Sequence, residues 1–307
     1  MTVSLNPEQL RNYICSHEMA VRTGSFPGIP AETVFRYGGF VGAGIQSFPS
    51  LGRAMDYCRS HIDQLEKEGR SVTSGAIVLA DTLNSSKGRF EREWHAPEGG
   101  LWGCMILVNT FLAETVNLLP LALGVSCCEA MREAGADRSV IRWVNDVLID
   151  EKKVGGFLIE GYRTPLKLEE YNLIGFGINV NNDTFPEELG TTAISLKQVI
   201  GHQIDLDHFC LAYLAKLSWN IGLICYEEQQ KLQADISSGG SSRNLMLERW
   251  KQLSDSIGRQ VIYGYDVMEK PQYRATVTDI QNDGGLVMRL GDGSEIVEHS
   301  GEIRYLQ

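Results

Sequence analysis

The 307-residue sequence predicts an α+β protein in which a β-sheet with flanking helices over residues 36–257 is followed by a small all-β module over residues 258–307. Residues 1–35 form an N-terminal extension. Three observations predict this. Apolar runs of strand length alternate with segments whose apolar residues recur at helical spacing. The length exceeds the roughly 100–200 residues of a typical single domain, so a large domain with a smaller companion is natural. From Gly258 onward the pattern changes to short strands broken by NDGG and GDGS turns.

In chain order, PEQLRNYICSHEMAVR reads as an amphipathic segment before the turn-rich GSFPGIP, which is too little for a DNA-binding winged helix. TVFRYGGFVGAGIQSF, from Thr33, reads as a bent, glycine-broken strand. Pro49 and Ser50 open a helix, with Leu51, Ala54, Met55, Cys58, Ile62 and Leu65 on one stripe. SGAIVLAD suits a central strand and leads into the polar loop TLNSSKGRFEREW. GLWGCMILV is a buried strand, and NLLPLALGVSCCEAMREAGA is a helix ended by Gly135. SVIRWVND, VLIDEK and KVGGFLIEGY read as three strands joined by tight turns. EEYNLIGFGINVNND is another strand, whose Gly175, Gly177 and Asn179 leave room for a close approach to the backbone. A long helix beginning DLDHFC and a shorter NLMLERWKQL helix flank the Ser/Gly-rich SSGGSS. RQVIYGYDV, QYRATVTDIQ, GLVMRL, SEIVEHSG and IRYL complete the β module.

Composition removes several function classes. Apolar content of 43% and charged content of 22% are those of an ordinary globular chain. The apolar stretch from Cys104 to Cys128 is interrupted by Asn109, Thr110, Glu114, Asn117 and Pro120, so no membrane span is expected. The start lacks a basic-then-apolar leader, and seven scattered cysteines fit reduced core thiols. The expected compartment is the cytoplasm. A net charge of −11 argues against binding to a nucleic-acid backbone.

Candidate chemistry concentrates in two places. Residues 82–94 carry Lys87, Arg89 and Arg92 around Gly88, either as a solvated surface loop or as a mobile loop whose cations close over a phosphate. Arg142–Tyr162 places Asn145 and Asp146, then Lys153, then Gly155 and Gly156 between apolar runs. A lysine there holds a carboxylate and a phosphate together, the glycines let a ligand lie on the backbone, and Asp146 is a candidate magnesium ligand. Local alternatives remain: a solubilising hairpin lysine and an ordinary Asx turn. The glycine pattern at Gly175 lacks the third glycine and following helix of a dinucleotide fingerprint, and no histidine spacing suggests a metal site. Neither a GxSxG elbow nor a GxxxxGK[ST] loop occurs.

In order and spacing, these segments resemble the biotin protein ligases from about Val34 to the C-terminus. RWVND…KKVGGFLIEG is similar to that family's WPND…KxxGxLxE core. APEGGLWGC, IGFGINVN and AISL resemble its SPxGGLWxS, GxGxNxN and TSL segments, and RQVIYG…GGLVMRL…VEHSGEI resembles its SH3-like C-terminal domain. The resemblance implies a mixed β-sheet with flanking helices, of the class II synthetase-like ligase type, plus a small SH3-like β-barrel. It also implies an ATP- and Mg2+-dependent enzyme that converts biotin to an acyl-adenylate and passes it to a lysine of a carrier protein, with homodimers common. Lys153 and Arg89 take the catalytic positions. Ser50, Leu83, Asn84, Ser86, Lys87, Gly88, Arg92, Trp94, Asn145, Asp146, Gly155 and Gly156 take substrate- and nucleotide-binding positions, with Asp146 as the metal ligand.

The departures cluster on the biotin-reading half. LNSSKGRFEREW stands where the family has QTxGRGRxGRxW: Leu83 replaces a glutamine that faces the acid's polar head, Ser86 and Glu91 replace glycines, and Lys87 replaces an arginine. Pro49-Ser50 stands for a Ser-Thr pair, Cys104 for a serine and Val144 for the proline of WPND. Loss of two or three hydrogen bonds, each worth roughly 1 kcal/mol or more, weakens selection for a buried polar ring. The alternatives implied are a lipoyl or other acyl protein ligase, or a non-catalytic small-acid-binding protein with the same fold.

Overall fold

A computed structural model describes residues 3–233 and 244–306. SSGGSS lies outside these described residues. The chain starts with α1 (Pro7–Tyr13), where Asn6 accepts the Glu8 and Gln9 N–H groups while the Gln9 side chain accepts the Asn6 N–H in a reciprocal cap. A wider turn (Ile14–Glu18) leads into α2 (Met19–Ser25) and then α3 (Ala31–Gly38). The central elements follow: β1 (Ile45–Leu51), α4 (Ala54–Lys67), β2 (Ala76–Leu83), β3 (Leu101–Val108), α5 (Ala113–Val116), α6 (Leu119–Glu133), β4 (Ser139–Arg142), β5 (Asp146–Ile149), β6 (Lys152–Arg163) and β7 (Glu170–Ile178). Next come α7 (Leu196–Ile200), α8 (Leu206–Gln233) and α9 (Leu245–Leu253). The chain ends in β8 (Gln260–Gly264), β9 (Tyr273–Ile280), β10 (Leu286–Leu290), β11 (Glu295–Glu298) and β12 (Glu302–Tyr305).

The first seven strands form a mixed sheet in the order β1-β2-β3-β7-β6-β5-β4, parallel only between β1 and β2. The last five form an antiparallel sheet, β11-β10-β9-β8-β12. The expected sheet with flanking helices and the small β module are therefore both present. α8 is long and apolar enough to cross a membrane, but 83% of its most apolar window is buried inside the protein, where it serves as the core helix.

Two local expectations fail. The segment from Thr33 opens not as a bent strand but as the end of helix α3, only its last four residues belong to β1, and its Gly38 marks a helix crossing. A Cβ on Gly38 would lie 1.8 Å from the Ser218 carbonyl oxygen of α8, and one on Gly222 would lie 2.2 Å from the Val34 carbonyl oxygen. Ser218 Oγ donates to the Gly38 carbonyl at 2.9 Å in the same contact. Pro49 and Ser50 end β1 rather than opening a helix, and α4 begins at Ala54. Pro49 is tolerated because β1 is an edge strand and the register passes from Phe48↔Ala80 to Ser50↔Thr82.

The N-terminal helices are fastened by buried charges. Arg22 Nε lies 2.7 Å from Glu18 and its Nη2 lies 2.6 Å from Glu129 of α6. Lys216 of α8 reaches Glu18 at 2.9 Å and Glu133 at 2.6 Å, and Arg249 of α9 reaches Glu129 at 2.7 Å. Burial pushes the Glu129 carboxyl up, but the two arginines outweigh it and hold it down at about 2. His17, Glu18 and Glu133 come together here, and Arg22 and Lys216 pair with those two carboxylates.

Candidate active site

The site is built on the middle of the large sheet. β6 and β7 pair Gly156 with Gly177 and Leu158 with Gly175, so a strip of backbone without side chains forms a floor. Trp94 fills the space above one end: a Cβ on Gly177 would lie 2.6 Å from its Nε1, and one on Gly156 would lie 3.2 Å from its Cζ3. Met55 covers the other end, with Sδ 2.9 Å from the place of a Gly175 Cβ. Between them opens a cavity of about 400 Å³.

Lys153 enters this cavity because of an irregularity in β6. The pairing with β5 runs Val147↔Gly155 and then Leu148↔Lys153, which leaves Val154 as an extra residue. Strict alternation places Lys153 and Gly155 on one face. The bulge instead puts the Lys153 side chain beside Gly156, 2.8 Å from the site of its Cβ, and turns Gly155 toward Cys127 of α6. Gly155 therefore belongs to the core packing and not to the site. Lys153 is not an exposed turn residue: its side chain is one-third accessible, with Nζ 2.6 Å from Asp146 Oδ1 and 5.2 Å from the Trp94 ring centroid. Arg142 approaches the other Asp146 oxygen at 3.9 Å.

Asn145 lines the cavity, but its side-chain amide donates to the Phe157 carbonyl while its own carbonyl accepts the Phe157 N–H, so it holds the strand pair. Ser50 and Asn84 lie off the cavity wall. Register sets Ser50 beside Thr82, and Ser50 Oγ accepts from Thr82 Oγ1 and Asn84 Nδ2, each at 3.0 Å. Leu83, Ser86, Lys87, Gly88, Arg89, Arg92 and Trp94 all line the cavity.

The loop 82–94 is folded onto the C-terminal module. Gly88 N–H donates to the Arg92 carbonyl at 2.8 Å and Trp94 N–H to the Ser86 carbonyl at 3.0 Å. Arg89 Nη1 donates to the Gly301 carbonyl at 2.7 Å, Arg92 pairs with Glu302 at 3.0 Å and with Asp266, and Lys87 pairs with Glu91. Burial disfavours the Arg92 charge, but Glu302 and Asp266 outweigh it and raise its pKa. Phe90 meets Tyr265 edge to face at 5.2 Å. Phe90 and Glu91 both have φ near +60°, and Glu91 thus keeps a glycine-like backbone without being glycine.

Sequence reasoning missed Met55, Trp102 and Arg53 in the wall, and it gave Arg142 no role. Arg53 was hidden by the misplaced helix start: it is the residue before α4, not a residue within the helix. Met55 and Trp102 read as ordinary core positions, and only the glycines opposite them mark a cavity.

Residues 59–179, which contain the loop, Trp94 and Lys153, match the model of the biotin/lipoate A/B protein ligase family. The bifunctional ligase/repressor BirA of Bacillus subtilis is 34% identical over 155 residues, 48% of this chain and 47% of the relative. The biotin--[acetyl-CoA-carboxylase] ligase of Paracoccus denitrificans is 31% identical over 149 residues, 45% of this chain and 59% of the relative. The chain thus spans about half the length of the curated relatives it matches. Beyond the matched residues the fold likeness is wider. The structure of the biotin protein ligase from Aquifex aeolicus in complex with biotin and ATP aligns with a TM-score of 0.68 at 23% identity, covering 86% of this chain and 99% of the other. The cationic loop, Asp146, Lys153 and the glycine floor lie in the matched stretch, whereas Arg53, Met55 and Glu302 of the cavity wall lie outside it.

Proposed function

We propose that the protein joins a carboxylic acid, biotin in the first instance, to ATP as an acyl-adenylate and transfers the acyl group to a lysine of a carrier protein. The observation that carries this reading is the meeting of Lys153, Asp146 and the loop of Lys87, Arg89 and Arg92 around one cavity floored by Gly156 and Gly177. An acid carboxylate oxygen attacks the α-phosphorus, the bond to the β-phosphate oxygen breaks, and pyrophosphate leaves with its electron pair. Two anions must approach for this, and Lys153 is placed to bridge them once phosphate displaces its Asp146 partner. Arg89 and Arg92 supply further positive charge when the loop exchanges its carbonyl and carboxylate partners for the nucleotide. In the second step the carrier amine attacks the acyl carbon, the C–O bond breaks, and AMP leaves. Trp94 and the loop cover the anhydride against water.

The residues fit magnesium only as one carboxylate, Asp146, completed by phosphate oxygens, a common arrangement for that ion. When bound, the ion supplies charge neutralisation on the phosphates. The named biotin ligases among the relatives support a carrier protein as partner. The buried, unpaired thiols of Cys58, Cys104, Cys127, Cys128 and Cys210 support a reducing compartment such as the cytoplasm.

The test is acid-dependent pyrophosphate exchange in the wild type and Lys153→Ala. The expected result is exchange with biotin, a fall of at least about a hundredfold in the variant, and a stability change below about 1 kcal/mol for a partly exposed ion pair. Exchange with octanoate or lipoate but not biotin removes the biotin assignment and leaves the chemistry. No exchange with any acid removes the enzyme reading in favour of a binding protein.

A further inference from the structure

The cavity has two chemically different ends. Gly175 and Gly177 are two residues apart on one face of β7, roughly 7 Å along the strand. Trp94 and Lys153 gather at Gly177, and Met55 sits over Gly175. The carboxylate of an acid bound for activation therefore lies toward Lys153, and its tail runs along β6 and β7 toward Met55 and Leu158.

Arg53 stands at that tail end. It immediately precedes α4, and its side chain is only 12% exposed. Nη2 pairs with Glu160 at 2.5 Å and touches Met55 Sδ at 3.5 Å. Nη1 reaches Asp56 only at 3.5 Å, and Nε is buried with no hydrogen-bond partner among the described residues. A guanidinium has five N–H donors, so this one is under-used at the wall of a cavity. Such a group is costly to keep dry and unpaired, and it calls for an acceptor. Its neighbours in the wall, Ala54, Met55, Leu83 and Leu158, carry no N–H or O–H in their side chains.

Resting on the proposed acid-activating reaction, we propose that Arg53 selects the acid by donating hydrogen bonds to a neutral carbonyl or ureido oxygen at the end remote from the carboxylate. The charge balance decides for a neutral acceptor. Arg53 and Arg59 are already matched by Asp56 and Glu160, which Arg59 also contacts, so a second carboxylate on the substrate would bring an unmatched negative charge beside Glu160. A plain hydrocarbon or dithiolane tail leaves the guanidinium without its acceptor, and a site built to hydrogen-bond discriminates strongly against a ligand that cannot. The distance agrees. Glu160 lies four residues beyond Gly156 on β6, so the guanidinium stands roughly 7–13 Å from the Lys153 end, the reach of a five-carbon acid with a small ring head.

The experiment is pyrophosphate exchange with biotin, desthiobiotin, octanoate and lipoate, on the whole chain and on Arg53→Met and Arg53→Lys. The two ureido acids are used by the wild type. Arg53→Met raises their KM at least about tenfold, the range of one hydrogen bond to a charged donor, with the larger part of the loss in KM rather than kcat. The preference over octanoate shrinks by the same factor, and Arg53→Lys recovers part of it. Thermal unfolding and circular dichroism establish that each variant is folded; where Arg53→Met is not, Arg53→Lys is read by the same KM ratio. A folded variant whose biotin KM stays within about twofold, or a wild type that uses octanoate or lipoate as well as biotin, overturns the inference and leaves the ligase chemistry intact. Should no acid support exchange, the proposed reaction falls, and calorimetric titration decides the inference separately: biotin binding that depends on Arg53 retains it, and no binding, or binding indifferent to Arg53, overturns it.

Discussion

Gly177→Ala tests the placement of Trp94 directly. The added methyl would lie 2.6 Å from Trp94 Nε1, 2.7 Å from Cε2 and 3.0 Å from Cζ2. Carbon contacts are comfortable at about 3.5–4.0 Å, so one group must retreat by roughly 1 Å. Gly177 cannot, because it pairs with Trp102 of β3 on one side and Gly156 of β6 on the other. Its φ is not positive, so alanine is sterically permitted in the backbone and the strain falls on the indole. Trp94 lies in the β2–β3 connection and can move, which keeps the stability cost near the lower end of the 1–3 kcal/mol typical of overpacking. What is lost is the ring 5.2 Å from Lys153 Nζ, a cation–π contact worth about 0.5–2 kcal/mol, together with the cover over the floor. The expected result is a fall in ATP affinity of about tenfold with a stability loss of about 1 kcal/mol, measured by calorimetric titration and urea unfolding. Gly161→Ala, on the same sheet with no atom within 4 Å of its new methyl, is the control. If Gly177→Ala binds ATP as Gly161→Ala does, Trp94 does not cover the floor and the site geometry is mistaken.

Two predictions concern the frame that holds the site. Glu129, held at about 2 against an ordinary 4.5, contributes stability that is whole above pH 4.5 and is lost as pH falls toward 2, on the order of 3 kcal/mol. Glu129→Gln should cost about 3 kcal/mol at neutral pH by leaving Arg22 with Glu18 alone and Arg249 without its carboxylate, and should flatten the pH dependence of urea unfolding between pH 4.5 and 2. Parallel pH profiles in the two proteins would contradict this. Gly38→Ala should destabilise by several kcal/mol, because its methyl would fall 1.8 Å from a carbonyl oxygen of α8 and neither helix backbone can yield cheaply. An unchanged melting temperature would mean that α3 and α8 do not cross there.

What local chemistry dictates was legible in the sequence. The apolar runs that became β2, β3, β6 and β7, the helix ended by Gly135, and the NDGG and GDGS turns of the last sheet are short-range signals. So was much of the site. The cations of residues 82–94 and the pair Asp146 and Lys153 sit on loops and strand ends, where polar residues and glycines interrupt apolar runs. The tertiary structure decided what depends on a partner far along the chain. Gly38 looks like a strand breaker until Gly222, 184 residues later, supplies the helix it crosses. Ser50 and Asn84 look like ligand contacts until the β1–β2 register joins them to each other. Arg53 looks like a helix surface residue until Glu160 and the cavity wall surround it. The extra residue Val154 moves Lys153 to the face of Gly156 and sends Gly155 into the core, against what alternation predicts. A period of two residues is written in the chain, but a bulge belongs to the pairing of two strands, and only that pairing chooses which side chains face the cavity.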